Sequence, residues 1–302
     1  MTRAQWTLHL MNRHKVGYFM MAPFFILFII TTVIPVFLSL YFSFTSYNMI
    51  QPPKFIFMDN YVKMFLEDEL FITALKNTLA FAVVVGPVSY ILSFIVAWFI
   101  NELPPKLRAV VTIVFYAPSL GGNTYLVWTT LFSGDRYGWL NAWLIKLGIV
   151  DAQSPVMWLY TEEYIMPICI LVALWMSLGI SFLAFIAGLQ GVNRSLYEAG
   201  AIDGITNRWQ EVWYITLPSM KPQLLFGAVM SITSAFGFGD VVTNLCGNPP
   251  TGYQGYTVTH HIGEYGSVRW EVGYSAALSF LMFLIMIGAN LAVNKILSKV
   301  GQ

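Results

Sequence analysis

The residues whose types and spacing best suit a specific task lie in a polar stretch, residues 188–222, between two long apolar segments. Ser195 and Glu198 have the S-x-x-E spacing of a capping box, in which the two side chains satisfy backbone N–H groups at the start of a helix. Gly204 can adopt the left-handed conformation that ends many helices. We therefore expect a short helix that starts near Leu196 and ends at Gly204.

A second short helix is predicted directly after the first. Asn207 and Gln210 repeat the start spacing, the helix should run over residues 208–214, and Pro218 should stop it, because proline lacks the N–H that a helix needs. The capping signals alone indicate only a helical hairpin on a surface. A hairpin against which another protein packs closely is favoured by the small residues Ala199, Gly200, Ala201 and Gly204.

The segments around this hairpin are those of an integral membrane protein. Hydrophobic residues make up 57% of the 302-residue chain, charged residues make up 10%, and the mean hydropathy is +0.64. That composition is too apolar for a soluble domain. A spanning helix needs about 20 mainly apolar residues, and such segments occur at residues 18–44, 77–100, 109–132, 164–189, 222–239 and 273–294. The sequence thus predicts a single all-α membrane domain over residues 1–302, with about six transmembrane helices and a polar loop at 190–221.

The distribution of charge predicts how these helices are oriented. If the N-terminus lies inside, the inner segments hold ten basic and four acidic residues, and the outer segments hold six basic and eleven acidic residues. This asymmetry follows the positive-inside rule. We therefore expect a multi-pass protein of the cytoplasmic (inner) membrane, in contact with membrane lipids, with both termini and the 190–221 loop in the cytoplasm. The net charge of +1 argues against a nucleic-acid partner.

Several kinds of chemistry are excluded by missing motifs. No Gly-Lys pair occurs, so the chain has no G-x-x-x-x-G-K-[ST] phosphate-binding loop. H-E-x-x-H and G-x-S-x-G are also absent. The six predicted spans contain no Asp, Glu, Lys or Arg, whereas proton- or sodium-coupled carriers usually need ionisable groups near the bilayer midplane. We expect no catalytic residue and no cofactor in this chain.

The cysteines and the paired histidines also give no sign of a metal or redox site. Cys169 lies in an apolar run and Cys246 in a polar stretch, so they form neither a disulfide framework nor a C-x-x-C pair. His260 and His261 have no carboxylate or cysteine at ligand spacing, and we interpret them as loop surface. No metal site is predicted.

The hairpin resembles a loop of known transport proteins. E-A-G-A-I-D-G followed by I-T-L-P is similar to the E-A-A-x-x-x-G…I-x-L-P loop of permease subunits of binding-protein-dependent ABC importers. In that family the loop holds a coupling helix, which sits in a cleft of the ATP-hydrolysing subunit. Here Gly200 replaces the second alanine, and ten residues instead of nine separate Gly204 from Ile215. The resemblance implies that the ATPase-coupling residues are Glu198, Ala199, Gly200, Asp203, Gly204, Leu217 and Pro218.

Further blocks resemble carbohydrate importers of the maltose and multiple-sugar type. They are S-F-T-S-Y-N, M-D-N-Y-V-K-M-F and A-L-K-N-T-L-A-F, in which Asn60, Tyr61, Asn77 and Thr78 fall on matching positions. The resemblance implies a type I importer-like bundle that transports a carbohydrate. It also implies a second permease subunit, two ATPase subunits that hold ATP and Mg²⁺, and an extracytoplasmic solute-binding protein.

The transport path is predicted less directly. Pro118, Gly121 and Gly122 should bend the third span, and such bends are where transport helices hinge or open towards a cavity. Ser177, Gly179 and Ser181 fit helix packing better than a ligand site. A sugar needs hydrogen-bonding and aromatic groups, and for these the candidates are Asn123, Trp128, Trp175, Ser177, Phe236, Phe238 and Asp240.

Three alternatives stay open from the sequence. An importer of this type could carry another solute, such as a glycerol-phosphate-like compound. A stand-alone secondary carrier or channel would transport in proteoliposomes without an ATPase, and a structural scaffold would leave uptake intact when deleted.

Overall fold

The computed structural model describes residues 15–121 and 124–298. The described chain is helical apart from one short antiparallel pair, in which Thr45–Ser46 lies beside Lys54–Phe55. Four helices are long and apolar enough to cross a membrane, and two bent pairs of helices bring the number to six if each pair is one span. The prediction of an all-α membrane protein with about six spans is confirmed.

We number the candidate spans in chain order. They are span 1 (Lys15–Ser43), span 2 (Glu69–Asn101), span 3 (Pro105–Ser119 and Thr124–Leu131), span 4 (Glu162–Gly191), span 5 (Lys221–Phe236 and Gly239–Cys246) and span 6 (Val272–Leu297). The described connections contain the short helices Asp59–Val62, Trp139–Lys146, Arg194–Ile202, Arg208–Glu211 and Val258–Gly263.

Two spans extend at least seven residues beyond one end of the apolar segment that predicted them. Span 2 begins eight residues before position 77, because Asp68 caps it by accepting a hydrogen bond from Phe71 N at 2.9 Å. Span 5 does not end at Gly239 but bends by 42° and continues to Cys246. A charge-free window therefore marks the apolar part of a helix and misses charged turns that extend it.

The chain forms two compact units, and the first consists of residues up to 64 together with 264–280. Buried Asn60 holds it together, since its Nδ2 donates to the carbonyl oxygens of Ser43 at 2.9 Å and Thr45 at 3.0 Å. Lys63 forms an ion pair with Glu271 at 2.6 Å. Asn60, one of the positions that resemble carbohydrate permeases, thus has a structural role here.

The second unit comprises residues 65–263 and 281–302, of which 122–123 and 299–302 lie outside the described part. Spans 2, 4 and 5 pack closely in it around Phe185, whose ring meets that of Tyr90 edge to face at 5.3 Å. Gly227 of span 5 permits this approach, because a Cβ there would lie 2.5 Å from the Phe185 ring. The aromatic core fixes the distance between spans 4 and 5.

The histidine pair is buried, so its interpretation as loop surface is wrong. His261 is 1% exposed, and its Nε2 lies 2.8 Å from Asp68 Oδ2. His260 Nδ1 accepts a hydrogen bond from Thr257 N at 3.1 Å, and its Nε2 lies 2.9 Å from Thr243 Oγ1. Burial lowers the pKa of His260 from 6.5 to about 4, which leaves its ring uncharged at neutral pH.

Candidate functional site: a helical loop and a cavity between broken spans

The first helix of the 190–221 loop is Arg194–Ile202, and it starts earlier than Ser195 predicted. Asn193 is the capping residue, because its Oδ1 accepts a hydrogen bond from Ser195 N at 3.0 Å. The predicted Ser195–Glu198 capping box is therefore wrong. Glu198 lies one turn along the helix and faces Arg194 at 3.5 Å instead.

This helix ends at Ile202, and Gly204 makes the predicted left-handed turn directly after it. Gly204 has a φ of +94°, Ile205 N donates to Gly200 O at 2.9 Å, and Gly204 N donates to Ala201 O at 3.4 Å. These two bonds form a Schellman motif, which satisfies carbonyls that the end of a helix would otherwise leave unpaired. The turn therefore has a fixed geometry and needs the glycine.

The second helix starts where it was predicted but does not end there. Asn207 Oδ1 accepts from Gln210 N at 2.9 Å, and Gln210 Oε1 accepts from Thr206 N at 3.0 Å. The helix Arg208–Glu211 then continues as a π-helix, Val212–Thr216, and a last turn, Leu217–Ser219. Pro218 does not stop it, because the π-helix Val212–Thr216 comes directly before the last turn, and Pro218 is the second residue of that turn.

The two loop helices pack on each other through few but specific contacts. Tyr197 OH lies 2.9 Å from Thr216 Oγ1, and Thr216 is buried. Gly200 faces inward, since a Cβ there would lie 2.6 Å from Ile215 Cδ1 and 3.0 Å from Ile205 Cδ1. Gly200 therefore serves the packing of the loop itself. It does not belong to the surface that a partner would touch.

The opposite side of the first loop helix is open. Glu198, Ala199 and Asp203 are exposed there, and Ile202 is 87% exposed between them. Sequence reasoning missed Ile202, although an isoleucine within a polar hairpin was a usable signal. Leu217 and Pro218 lie elsewhere, and Leu217 packs against the apolar cluster of span 4 and span 5 that includes Met220 and Leu224.

The loop also contacts the end of span 2. Arg208 pairs with Glu102 at 3.2 Å and with Glu211 at 2.9 Å. The rings of Trp98 and Trp209 lie 5.3 Å apart. A displacement of the second loop helix therefore reaches span 2 as well as span 5.

A second candidate site is a cavity of about 430 Å³ where three spans break. Span 3 bends by 73° between Ser119 and Thr124, span 4 is interrupted at Ser177–Gly179, and span 5 bends by 42° between Phe236 and Gly239. Ser119, Ser177 and Gly237 lie at these breaks and line the cavity. Pro118 and Gly121 lie beside the bend predicted in span 3, and Gly122 lies outside the described residues. Ser177 and Gly179 mark a break and not the expected packing face.

Hydroxyl groups dominate the polar lining. Ser119 Oγ donates to Tyr116 O at 2.7 Å, and Ser177 Oγ donates to Leu174 O at 2.6 Å. Ser181 Oγ lies 3.2 Å from Gly227 O and packs spans 4 and 5 together, as predicted. Because a carbonyl only accepts, each of these serines is the donor in its bond. The oxygen lone pairs are what these serines offer to the cavity.

Asp240 is the one Asp, Glu, Lys, Arg or His among the described residues that line the cavity. It stands in the first turn of the helix Gly239–Cys246 and is exposed. Within residues 15–121 and 124–298, no basic side chain forms an ion pair with it. The cavity therefore carries an uncompensated negative charge.

The predicted path residues are divided between several places. Ser177, Phe238 and Asp240 line the cavity. Trp128 and Trp175 form an edge-to-face pair 5.2 Å apart that does not line it, and Phe236 lines a separate apolar groove. Asn123 lies outside the described residues. Sequence reasoning missed the lining residues Ser89, Tyr116, Ser119, Tyr125, Ser231 and Ser234, for which hydroxyls beside helix breaks were the available signal.

Comparison with known proteins decides the family. Residues 11–301 match the family described as binding-protein-dependent transport system inner membrane component. The chain belongs to this family of permeases. The permease is thus a multi-pass membrane component of a binding-protein-dependent transport system.

Individual relatives cover most of the permease. The probable ABC transporter permease protein YesP of Bacillus subtilis (strain 168) is 32% identical, over 89% of this chain and 86% of the relative. The arabinooligosaccharides transport system permease protein AraP of the same organism is 29% identical, over 94% and 89%. A solved chain of a bacterial ABC transporter that imports the acidic polysaccharide alginate is 24% identical with a TM-score of 0.76, over 98% and 99%. This last likeness shows the shared fold.

Proposed function

We propose that this permease is one of two membrane-spanning subunits of an ATP-driven importer of a sugar or oligosaccharide. Family membership supports a transport role, and relatives named for arabinooligosaccharides, for lactose and for trehalose and maltose support a carbohydrate cargo. An extracytoplasmic binding protein delivers the cargo. The hydroxyl-lined cavity, where three spans break, offers the hydrogen-bonding groups that a saccharide needs.

Energy comes from two separate ATPase subunits, which bind ATP and Mg²⁺. The absence of a phosphate-binding loop from this sequence supports that division of labour. The observation that carries the proposal is the first loop helix, Arg194–Ile202, which is fixed by its cap and Schellman motif and presents Glu198 and Ile202 outward. This face docks on an ATPase subunit.

The orientation follows from the charges. Arg194, Arg208 and Lys221 support a cytoplasmic position for the 190–221 loop, and the positive-inside rule supports the same side for both termini. Closure of the ATPases moves the loop, and the Arg208–Glu102 and Trp98–Trp209 contacts pass the movement to span 2. The broken spans then reshape the cavity for uptake from outside and release inside.

The decisive variant is Gly204→Trp. Gly204 has a left-handed φ of +94° and nothing within 4 Å of an added Cβ, so the substitution distorts the docking turn without a clash in the core. Gly148→Trp is the matched control, since Gly148 also has a left-handed φ, of +71°, and open space around it, but lies in the connection between spans 3 and 4. Glu198→Lys is a second variant on the exposed face.

We expect Gly204→Trp and Glu198→Lys to reach the membrane, to lose co-purification with the ATPase and to lower uptake of maltotriose or arabinotriose at least tenfold. Gly148→Trp should retain both co-purification with the ATPase and uptake of the trisaccharide. Unchanged uptake in both loop variants would contradict docking. Uptake by the reconstituted permease without ATPase subunits would show a stand-alone carrier.

A further inference from the structure

Membership of this family leaves the charge of the cargo open. The relatives include proteins named for neutral sugars such as lactose, whereas the structurally similar alginate transporter imports an acidic polysaccharide. The lining of the cavity bears on this question directly. The inference below rests on the proposed importer function and concerns the class of saccharide that the cavity accepts.

We propose that the cavity of this permease selects saccharides without negative charge, through the carboxylate of Asp240 and through three serine hydroxyls whose protons are already donated to backbone carbonyls.

The first support is the uncompensated charge. Asp240 is the sole charged residue among the described residues that line the cavity, and it is exposed to it. Like charges repel, and a site lined by low-dielectric walls strengthens that repulsion. A uronate or sulfonate group that enters the cavity must approach this carboxylate without a lysine or arginine beside it.

The surroundings of Asp240 do not restore neutrality. Tyr125 and His260 are the titratable side chains on which Asp240 acts electrostatically, and a tyrosine carries no positive charge in either of its forms. Burial lowers the pKa of His260 to about 4, and its two ring nitrogens are already occupied by Thr257 and Thr243. His260 is therefore neutral at physiological pH and adds no positive charge beside Asp240.

The second support is the direction of the hydrogen bonds that these hydroxyls form, and it is independent of the charge of Asp240. Ser89, Ser119 and Ser177 donate their protons to the carbonyl oxygens of Gly86, Tyr116 and Leu174. Their free lone pairs can accept hydrogen bonds from the hydroxyls of a neutral sugar. A carboxylate or sulfonate only accepts, so at these three serines it meets an acceptor where it needs a donor.

The charge of the cavity can be measured without knowing the cargo. Ser234 lines the cavity and is exposed, so Ser234→Cys in the assembled importer reports the local potential through its labelling by two methanethiosulfonates, one with a trimethylammonium and one with a sulfonate group. The protein without this substitution corrects for the native cysteines. The ratio of the labelling rate with the cationic reagent to that with the anionic reagent is divided by the same ratio for a small thiol in solution.

We expect corrected labelling of Ser234→Cys by the cationic reagent to be roughly tenfold faster than by the anionic reagent. This is the scale on which a charged cleft concentrates counter-ions. Adding Asp240→Asn should reduce the ratio to about one. Glu163→Gln, which removes an exposed carboxylate that does not line the cavity, should leave the ratio unchanged. A ratio near one before Asp240 is changed, or a ratio that Asp240→Asn does not alter, would overturn the inference.

A cargo measurement separates this inference from the proposed function. Cells with the complete importer are given maltotriose, arabinotriose or trigalacturonate at equal concentration, and we expect permease-dependent uptake of a neutral trisaccharide at least tenfold above that of trigalacturonate. Comparable uptake of trigalacturonate would overturn charge selection while supporting sugar import. Uptake of none of the three would count against the proposed function, and the labelling ratio would then decide the inference alone.

Discussion

The 190–221 loop is held together by residues that are close in the sequence, whereas the cavity is enclosed by spans from distant parts of the chain. Asn193 and Asn207 cap helices within three residues, and the Tyr197–Thr216 contact joins residues 19 positions apart. The cavity instead brings together residues from Ser89 to Val241. We therefore expect the loop to keep its shape when spans move, and the cavity to change shape when a span bends.

This difference suits the two parts to different tasks. A docking element must transmit displacement without absorbing it, and caps and a Schellman turn give it a defined end at little entropic cost. A transport cavity must open and close, and helix breaks concentrate the bending at a few positions. In the structure the loop exposes an apolar residue, Ile202, whereas the cavity gathers hydroxyl groups and one carboxylate.

The largest effect on stability is expected at Gly227, next to the cavity. Gly227→Ala places a Cβ 2.5 Å from the buried Phe185 ring, so spans 4 and 5 must separate. Overpacking of this kind costs roughly 1–3 kcal/mol, and the apparent melting temperature of the purified importer should fall by several degrees. Gly288→Ala is the control, since nothing lies within 4 Å of a Cβ there. Equal melting temperatures for both variants would show that this contact does not limit the packing of the spans.

A smaller and more local effect is expected in the loop. Gly200→Ala brings a Cβ to 2.6 Å from Ile215 Cδ1, so the loop helices should separate and ATPase association should weaken. Ile215→Val removes that methyl group, and the double variant should recover most of the association. Co-purification of the ATPase measures its association with the single variant and with the double variant. Failure of Ile215→Val to rescue would mean that Gly200 contacts the partner and not the loop.

The smallest effect concerns pH and the buried His260. Its pKa is lowered from 6.5 to about 4 by burial, which the charge of Asp240 partly opposes, so the folded state binds the proton less readily than the unfolded state. Its contribution to stability is complete above about pH 6.5 and is lost as the pH falls towards about 4. Melting temperatures between pH 7.5 and 5 should fall less steeply in His260→Gln than in the unchanged protein. Equal slopes of melting temperature against pH in the two proteins would contradict the assignment of a buried neutral histidine.

Local contacts also explain what the sequence could reveal. The Gly204 turn and the Asn207–Gln210 start are signals complete within a few residues, and both were predicted correctly. Ser195 misled because Asn193, two residues earlier, caps the helix by accepting a hydrogen bond from Ser195 N, which places Ser195 inside the first turn. The membrane spans were predictable since twenty apolar residues form a signal on their own.

The cavity was predicted only in part, at Ser177, Phe238 and Asp240, because its lining residues come from four spans and share no single local pattern. Span 4 breaks at Ser177–Gly179 without a proline. The sequence of span 4 alone does not show that this break lies beside the breaks in spans 3 and 5. The histidine pair failed for the same reason, since Asp68, the partner of His261, is 193 residues away in the sequence. The sequence of a single subunit contains no periodic pattern that shows which face of each helix lines a transport path.

The most direct test of the account asks what covers Ile202 in the assembled importer. Ile202→Cys should cross-link to the ATPase subunit with a short bifunctional maleimide, whereas Ile149→Cys, an equally apolar exposed position between spans 3 and 4, should not. The account predicts that a water-soluble maleimide labels Ile202→Cys in the isolated permease but is excluded from it in the complex. Free labelling in the active complex, without a cross-link to the ATPase, would contradict the claim that the 190–221 loop is the docking element.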